Sequence, residues 1–171
     1  MLTLSIQTTL SCLMKNFYVL VFIICFSLSV HGVRAQNVIR QAPCNNISIK
    51  QQADSLKALL ALAGFVVIKE ASVTMESEYE VPVIVPMTEG SWYQFVFIGD
   101  ISSKLYEVRM FDWSEKQVVY QKKMWGDVDG NIIRYDYIPR TTEYHMIKPL
   151  QVNKKKKKDL CGYVMLFKKL K

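Results

Sequence analysis

Three hydrophobic patterns follow one another along the chain, and each predicts a different kind of segment. Residues 17–29 form an apolar run without a charge. Over residues 49–63, apolar side chains recur every three or four positions, which indicates a helix with one apolar face. From residue 65 onwards the period changes to two, the spacing of a strand with one buried face. We therefore expect one helix followed by strands.

The predicted helix at 49–63 is amphipathic. Its apolar side consists of Ile49, Ala53, Leu56, Leu60 and Ala63. Asn46 or Ser48 is suited to cap its start. Gly64 is suited to end it, because glycine takes left-handed backbone angles without steric cost. Since only one side is apolar, the helix is expected to lie against another element.

Eight later segments have the alternation or the β-branched and aromatic content of strands. They span residues 65–75, 82–86, 92–98, 105–113, 117–124, 131–138, 142–149 and 162–168. Pro82 and Pro86 favour a sheet edge, because proline has no N–H for a strand ladder. The aromatic segment 92–98 is expected at a sheet centre. The sequence predicts an all-β fold, an antiparallel β-sandwich of about eight strands with one N-terminal amphipathic helix.

The apolar run near the start predicts export. Lys15 precedes the run, and Ala35 ends a cleavage site of the A-x-A type, so residues 1–35 are interpreted as a signal peptide. Within this segment, Met14 is predicted to be the true translation start. The run is shorter than the ~20 apolar residues that span a bilayer. We expect a periplasmic or secreted protein without a transmembrane anchor in its mature form.

Cleavage after Ala35 leaves 136 residues, a common size for one domain. We expect an irregular lead over 36–46 and a single β-sandwich domain over 47–171. The mature part has 20 basic and 15 acidic residues, and five of the basic ones form the tract Lys154 to Lys158. Outside this tract the charge is nearly balanced, which argues against a nucleic acid partner.

Two cysteines, Cys44 and Cys161, lie in the predicted mature part. In an oxidising compartment we expect them to form a disulfide, which would stabilise the fold by roughly 4 kcal/mol or more in the chain-entropy model. Two buried free thiols are the alternative. A metal site is not expected, because two isolated cysteines and one histidine, His145, match no known ligand spacing.

Candidate catalytic groups are few. His145 is the one histidine of the predicted mature chain and falls in a strand, where a structural or surface role is favoured. Glu76, Glu78 and Glu80 alternate along a predicted strand face, which favours a solvated edge over an acid pair. We therefore expect no catalytic residues.

One short motif resembles part of a calcium loop. Asp127, Asp129 and Asn131 place oxygen-bearing side chains at alternating positions around Gly130. The remaining ligands and the distal Glu of such a loop are missing, and Asp-Gly is also a common turn between strands. A turn is the favoured interpretation, calcium is the weak alternative, and no other cofactor is expected.

The lysine tract comprises Lys154, Lys155, Lys156, Lys157 and Lys158. Its position between two predicted strands favours a solvated hairpin tip. The functional alternative is contact with an anionic surface, such as a phosphate-bearing lipid or an acidic envelope polysaccharide, by an attraction that weakens as salt rises. Trp92, Trp113 and Trp125 are suited to stack on sugars, although their alternating positions favour the core.

Several of these segments together resemble the pre-peptidase C-terminal domains of secreted bacterial proteins, which are small jelly-roll sandwiches. Gly90, Tyr93 and Phe95 match the Gly-x-x-Tyr-x-Phe strand of that family, and a late strand runs from Pro139 through Tyr144. The resemblance covers about 81–167. It implies a jelly-roll-like antiparallel β-sandwich that acts as a non-catalytic accessory domain, and some relatives of that family bind calcium or carbohydrate. The predicted helix and the cysteine pair are departures from the family pattern.

The sequence thus favours an exported, non-catalytic binding or structural accessory module whose ligand it does not identify. Candidate partners are an envelope polysaccharide, a lipid surface or another protein. The alternative is a secreted hydrolase or a hydrolase inhibitor.

Overall fold

The computed structural model of the protein describes residues 42–124, 126–127 and 130–170. The predicted signal peptide at 1–35, the proposed start at Met14 and the first part of the lead lie outside this range. Helix α1 spans Ile47–Leu62. The strands that follow are β1 Phe65–Met75, β2 Val83–Met87, β3 Tyr93–Gly99, β4 Leu105–Phe111, β5 Gln117–Met124, β6 Ile132–Tyr137, β7 Glu143–Val152 and β8 Leu160–Lys169.

In the described part of the chain, the eight strands form two antiparallel sheets. The first sheet has the order β1-β8-β3-β6 and the second has the order β2-β7-β4-β5. Strands 1 and 8, 2 and 7, 3 and 6, and 4 and 5 pair with one another, which is the connectivity of one long hairpin rolled into two layers. This confirms the predicted jelly-roll-like antiparallel β-sandwich with one N-terminal helix. It also confirms that β2 lies at an edge and that β3 is central.

The main core fills the space between the two sheets. Its buried side chains alternate along each strand and include Val85, Phe95, Phe97, Tyr106, Val108, Met110, Ile147 and Val164. Removing such side chains from water supplies about 25 cal/mol per Å² of apolar surface. Two strand glycines permit the close packing, because a Cβ atom on Gly99 would lie 2.5 Å from the ring of Tyr106 and one on Gly162 would lie 2.7 Å from Met75 Sδ.

Helix α1 covers the outer face of the first sheet. Its buried residues Ile49, Ala53 and Leu60 pack against the sheet, which contributes Val96, Ile98, Met165 and Phe167. Asn46 caps the helix by accepting a hydrogen bond from the Ile49 N–H at 3.2 Å. With one face in the core and the other under the helix, all seven residues of β3 are buried. No helix in the described residues has the length and apolar character that crossing a bilayer requires.

The end of the predicted lead runs beside the outer edge of the first sheet. Thr74 N–H donates to Ala42 O at 2.8 Å, and Cys44 N–H donates to Ser72 Oγ at 3.0 Å. Cys44 and Cys161 form a disulfide with Cα atoms 5.6 Å apart, a normal spacing for this bond. The lead therefore shields part of the edge of β1, where unpaired backbone groups would otherwise invite pairing with another chain.

Candidate functional site

The outer face of the second sheet is exposed, in contrast with the face under α1. Cross-strand pairing places Ile84 beside Met146, and Met146 beside Phe111. Because alternate residues of β7 face opposite sides, His145 and Ile147 point into the core while Tyr144 and Met146 point outwards. This face carries exposed apolar side chains on a rigid sheet.

An aromatic pair lies at one end of this face. Trp113 is 72% exposed and Tyr144 is 54% exposed, and their ring centroids are 6.2 Å apart with planes inclined at 50°. They line a shallow cleft of about 170 Å³ whose other lining residues include Ile84, Asp112, Glu115 and Met146. We call this group of six residues the aromatic site. It combines apolar ring surface with two carboxylates.

The turn between β4 and β5 holds Trp113 at the surface. Asp112 N–H donates to Lys116 O at 3.0 Å, and Lys116 N–H donates to Asp112 Oδ1 at 2.9 Å. Glu115 completes the turn with a φ of 60° and donates its N–H to Asp112 O at 3.1 Å. These bonds close a tight turn around Trp113, so the indole ring is presented from a short, ordered connection.

His145 lies buried beside the aromatic site. It is 1% exposed, and its Nε2 is 3.2 Å from Tyr137 Oη and 3.9 Å from Glu143 Oε1. Burial, together with the carboxylates of Glu143 and Asp112, raises the pKa of Tyr137. The imidazole is thus closed to solvent in a cluster with a phenol and an acid, and His145 is also among the residues that line the cleft of the aromatic site.

A second cleft, of about 360 Å³, lies next to this cluster between the β4–β5 and β6–β7 connections. Asp112, Tyr137, Arg140 and Glu143 are among the residues that line it. Both carboxylates already make structural hydrogen bonds, since Asp112 Oδ1 accepts from Lys116 N–H and Glu143 Oε1 accepts from the Thr141 hydroxyl at 2.7 Å. The cleft therefore offers two acids, each with a structural role.

The lysine tract lies in the β7–β8 connection and is anchored at several points. Lys155 N–H and Lys156 N–H donate to Asn153 Oδ1 at 3.0 and 2.9 Å. Three of its ammonium groups are near carboxylates: Lys156 with Asp100 at 3.8 Å, Lys157 with Glu78 at 3.1 Å and Lys158 with Glu76 at 3.9 Å. The tract is exposed, and three of its five positive charges have a carboxylate within ion-pair distance.

The acidic residues that face the tract do not form the predicted strand face. Strand β1 ends at Met75, and Glu78 has a φ of 73° in a turn, so the alternation expected for Glu76, Glu78 and Glu80 is wrong. Each of the three instead has a basic partner, and for Glu80 these are Arg109 at 3.3 Å and Lys148 at 3.4 Å. These three acids are thus placed by a turn and by charge pairing with distant segments instead of by strand alternation.

Two of the three calcium candidates lie in the described residues, and Asp129 lies outside them. Asp127 Oδ2 accepts from Met124 N–H at 2.7 Å, and Gly130 N–H donates to Asp127 O at 2.9 Å, as in a turn. The buried Asn131 side chain exchanges two 3.1 Å hydrogen bonds with Gln52 of α1. No group of three His, Cys, Asp or Glu residues suited to a metal occurs in the described part of the chain. Calcium binding stays a prediction.

The expectation that the tryptophans are mainly core residues is wrong for the two that the structure describes. Trp113 and Trp92 are both exposed, the latter by 41%, and Trp125 lies outside the described residues. The polar neighbours of Trp113, Asp112 and Ser114, were a signal for a turn at this position. Nothing local indicated that Tyr144 of a separate strand would lie beside it.

Comparisons with known proteins place the chain in no family. No family model and no curated protein matches it, so the resemblance to pre-peptidase C-terminal domains is not confirmed. The K1 cleaved adhesin domain of Lys-gingipain from Porphyromonas gingivalis W83 is 12% identical, with a TM-score of 0.38, over 60% of this chain and 74% of that chain. A Glycosylation Associate Protein complex from Streptococcus agalactiae is 10% identical, with a TM-score of 0.34, over 61% of this chain and 39% of that chain. Similarities this low do not bear on function.

Proposed function

We propose that the protein is an exported, non-catalytic module that binds an extracellular glycan at the aromatic site. The observation that carries the proposal is the exposed Trp113 and Tyr144 pair, with two carboxylates beside it. Large exposed apolar groups in contact with one another mark interaction surfaces more often than isolated ones do.

The chemistry of the aromatic site suits a sugar. One face of a pyranose ring is formed by C–H groups, and this face packs on the negatively charged face of an aromatic ring. The hydroxyl groups at the edge of the sugar need acceptors, and Asp112 and Glu115 supply carboxylate oxygens that make stronger hydrogen bonds than neutral groups do. Ring and carboxylates together fit one sugar unit.

The shape of the aromatic site indicates weak binding. Its volume of about 170 Å³ is below the ~300–1,000 Å³ of typical small-molecule pockets. The platform is, however, preformed by β7 and by the hydrogen-bonded β4–β5 turn, which lowers the entropy lost on binding. We expect dissociation constants in the high micromolar to millimolar range, with tighter binding to polymers that offer repeated units.

Export to the periplasm or outside the cell is part of this proposal. The Cys44–Cys161 disulfide supports it, because such bonds persist in oxidising compartments. The predicted signal peptide at 1–35 supports it independently. N-terminal sequencing of the mature protein should begin at Gln36, and a product that retains residues 17–29 would contradict export by cleavage.

A hydrolase is the less supported alternative. The cleft lined by Asp112 and Glu143 favours it, since paired acids carry out glycoside hydrolysis. Both acids hold structural hydrogen bonds and His145 is buried, so binding without cleavage fits the geometry better. Prolonged incubation with a bound oligosaccharide should yield no shorter products by mass spectrometry.

The experiment is a screen of the mature protein on a glycan array, followed by NMR titration of the best neutral oligosaccharide. Trp113→Ala should weaken binding by about tenfold and Tyr144→Ala by less, because the indole offers the larger ring surface. Tyr79→Ala is the matched control, since Tyr79 is similarly exposed but lies in the β1–β2 connection. Equal affinity of the parent and Trp113→Ala, or no glycan bound in the screen, would refute the proposal.

A further inference from the structure

We infer that the protein has a second binding site, for acidic saccharides, in a cleft between the β2–β3 connection and the end of β8. The cleft has a volume of about 690 Å³, and its lining includes Glu89, Trp92, Lys168 and Lys169. This volume lies within the ~300–1,000 Å³ range of small-molecule sites. We call it the basic cleft.

Aromatic rings hold the two lysines in place. Lys169 Nζ is 4.6 Å from the ring centroid of Trp92 and 5.3 Å from that of Phe65. Lys168 Nζ is 5.6 Å from the ring centroid of Tyr93. Strand pairing produces this arrangement, because Lys169 lies opposite Phe65 on β1 and Lys168 lies opposite Tyr93 on β3. Contact with a ring face orients an ammonium group without neutralising its charge.

The charges of Lys168 and Lys169 are uncompensated, which distinguishes them from three of the five lysines of the tract. Within the described residues, neither ammonium group has a carboxylate at ion-pair distance, whereas Lys156, Lys157 and Lys158 each do. Burial alone would raise the pKa of Tyr93, but hydrogen bonding by Thr88 and the charge of Lys168 lower it. The basic cleft therefore has more available positive charge per lysine than the tract predicted for this role.

The exposed part of Trp92 indicates a saccharide as the occupant. Trp92 is 41% exposed and lines the cleft, where its ring offers an apolar surface for the C–H face of a sugar. A carboxylate or sulfate group on that sugar would then meet Lys169, which lies over the same ring, while Lys168 lies over Tyr93 from the other face of β8 and adds positive charge to the same cleft. Glu89 would accept hydrogen bonds from sugar hydroxyl groups and disfavour a second anionic group close by. The concave shape suits a single sugar unit better than a flat lipid surface.

The test is calorimetric titration of the mature protein at low salt with trigalacturonic acid and with a heparin-derived tetrasaccharide. We expect at least one of them to bind, and the affinity to fall as salt rises, because charges at a surface are screened over about 8 Å at physiological salt. The fully methyl-esterified trigalacturonate is the matched neutral ligand and should bind about tenfold more weakly than the acid. Failure of both acidic probes to bind would overturn the inference.

Two double variants test whether the acidic probe binds at the basic cleft or at the lysine tract. Lys168→Gln with Lys169→Gln should weaken binding of the acidic probe by about tenfold or more, since both ring-held cations are lost. Lys154→Gln with Lys155→Gln removes the same charge from the tract and should change affinity less than about twofold. Equal losses in the two double variants would show that only net charge matters and would overturn the assignment.

Two further variants separate loss of the site from loss of the fold and from the aromatic site. Lys169→Arg keeps the charge and the ring contact, so it should bind like the parent and melt at the same temperature. Trp113→Ala should retain the acidic probe. If instead Trp113→Ala loses it and the Lys168/Lys169 double variant keeps it, the acid binds at the aromatic site, and this inference fails while the proposed function stands. Binding to phosphatidylglycerol vesicles but to neither saccharide would also overturn it.

Discussion

The outer faces of the two sheets differ although the same rolled hairpin builds both. The first sheet presents Val96, Ile98, Met165 and Phe167 outwards, and helix α1 buries them. The second sheet presents Tyr144, Arg109 and Glu107 outwards, and these remain in contact with solvent or with one another. One outer face is buried under the helix, and the other carries exposed side chains such as Tyr144. The difference shows that strand alternation fixes which side chains point outwards but not whether another element of the fold buries them.

The middle of the outer face of the second sheet carries ion pairs instead of a packed apolar layer. Arg109 contacts Glu107 at 3.1 Å, and Lys122 contacts Glu107 at 3.7 Å. Glu107 is only 8% exposed, so the two cations chiefly compensate a carboxylate that is shielded from water. The main consequence of these ion pairs is that the middle of the face is charged, so the apolar surface of the aromatic site stays at one end instead of spreading over the sheet.

The largest expected effect on stability concerns the outer face under helix α1, compared with the exposed outer face of the second sheet. Phe167→Ala, under the helix, should lower the free energy of unfolding by about 3–5 kcal/mol, because it leaves a cavity in a packed layer. Tyr144→Ala, on the exposed face, should change it by less than about 0.5 kcal/mol. Urea unfolding followed by circular dichroism measures both. Similar losses in the two variants would show that the faces do not differ as described.

The next effect concerns the disulfide that ties the lead to the first sheet. Cys44→Ser with Cys161→Ser should destabilise the protein by about 2–5 kcal/mol, since the bond restricts an unfolded loop of 117 residues. Thermal melts of the parent with and without reductant provide the same comparison. Non-reducing peptide mapping should recover the linked pair, and quantitative labelling of both thiols in native protein would contradict it.

A smaller effect is expected at the start of α1. Asn46→Ala removes the side-chain acceptor for Ile49 N–H and should cost about 1 kcal/mol. Asn46→Ser keeps an acceptor and serves as the control. The stability of the first sheet depends on its helix, so a melting temperature unaffected by Asn46→Ala would indicate that the cap is not needed to hold the helix there.

The smallest effect belongs to the lysine tract. Replacing Lys154 to Lys158 with Gln should change the free energy of unfolding by less than about 1 kcal/mol, because two of its three ion pairs are exposed at both partners and the third, to the buried Asp100, has a long N–O distance of 3.8 Å. Differential scanning calorimetry measures the change. A loss above about 2 kcal/mol would show that the tract is structural, with the Lys156–Asp100 contact as its first candidate.

Most of the secondary structure could be predicted from the sequence, because it depends on the pattern of residues close together in the chain. The predicted limits of β1 and β5 agree with the structure, and the remaining strands and the helix differ by a few residues. Errors arose where the period was locally ambiguous. The predicted alternation in β1 is interrupted by a register shift between Val67 and Lys69, which leaves Val66, Val67 and Ile68 all exposed. An alternation pattern does not reveal such a bulge.

The sequence by itself determined the strand and helix pattern and favoured the edge position of β2, because periodicity and the missing N–H of proline are local properties of the chain. The cysteine count favoured a disulfide but left two free thiols open, and the structure shows the bond. Only the tertiary structure decided which outward face α1 covers and that Trp113 and Tyr144 meet. It also decided that Lys168 and Lys169 lie over aromatic rings while three lysines of the tract lie near carboxylates. These outcomes depend on contacts between residues far apart in the chain. Rolling one hairpin into two sheets creates those contacts, and no local pattern encodes them.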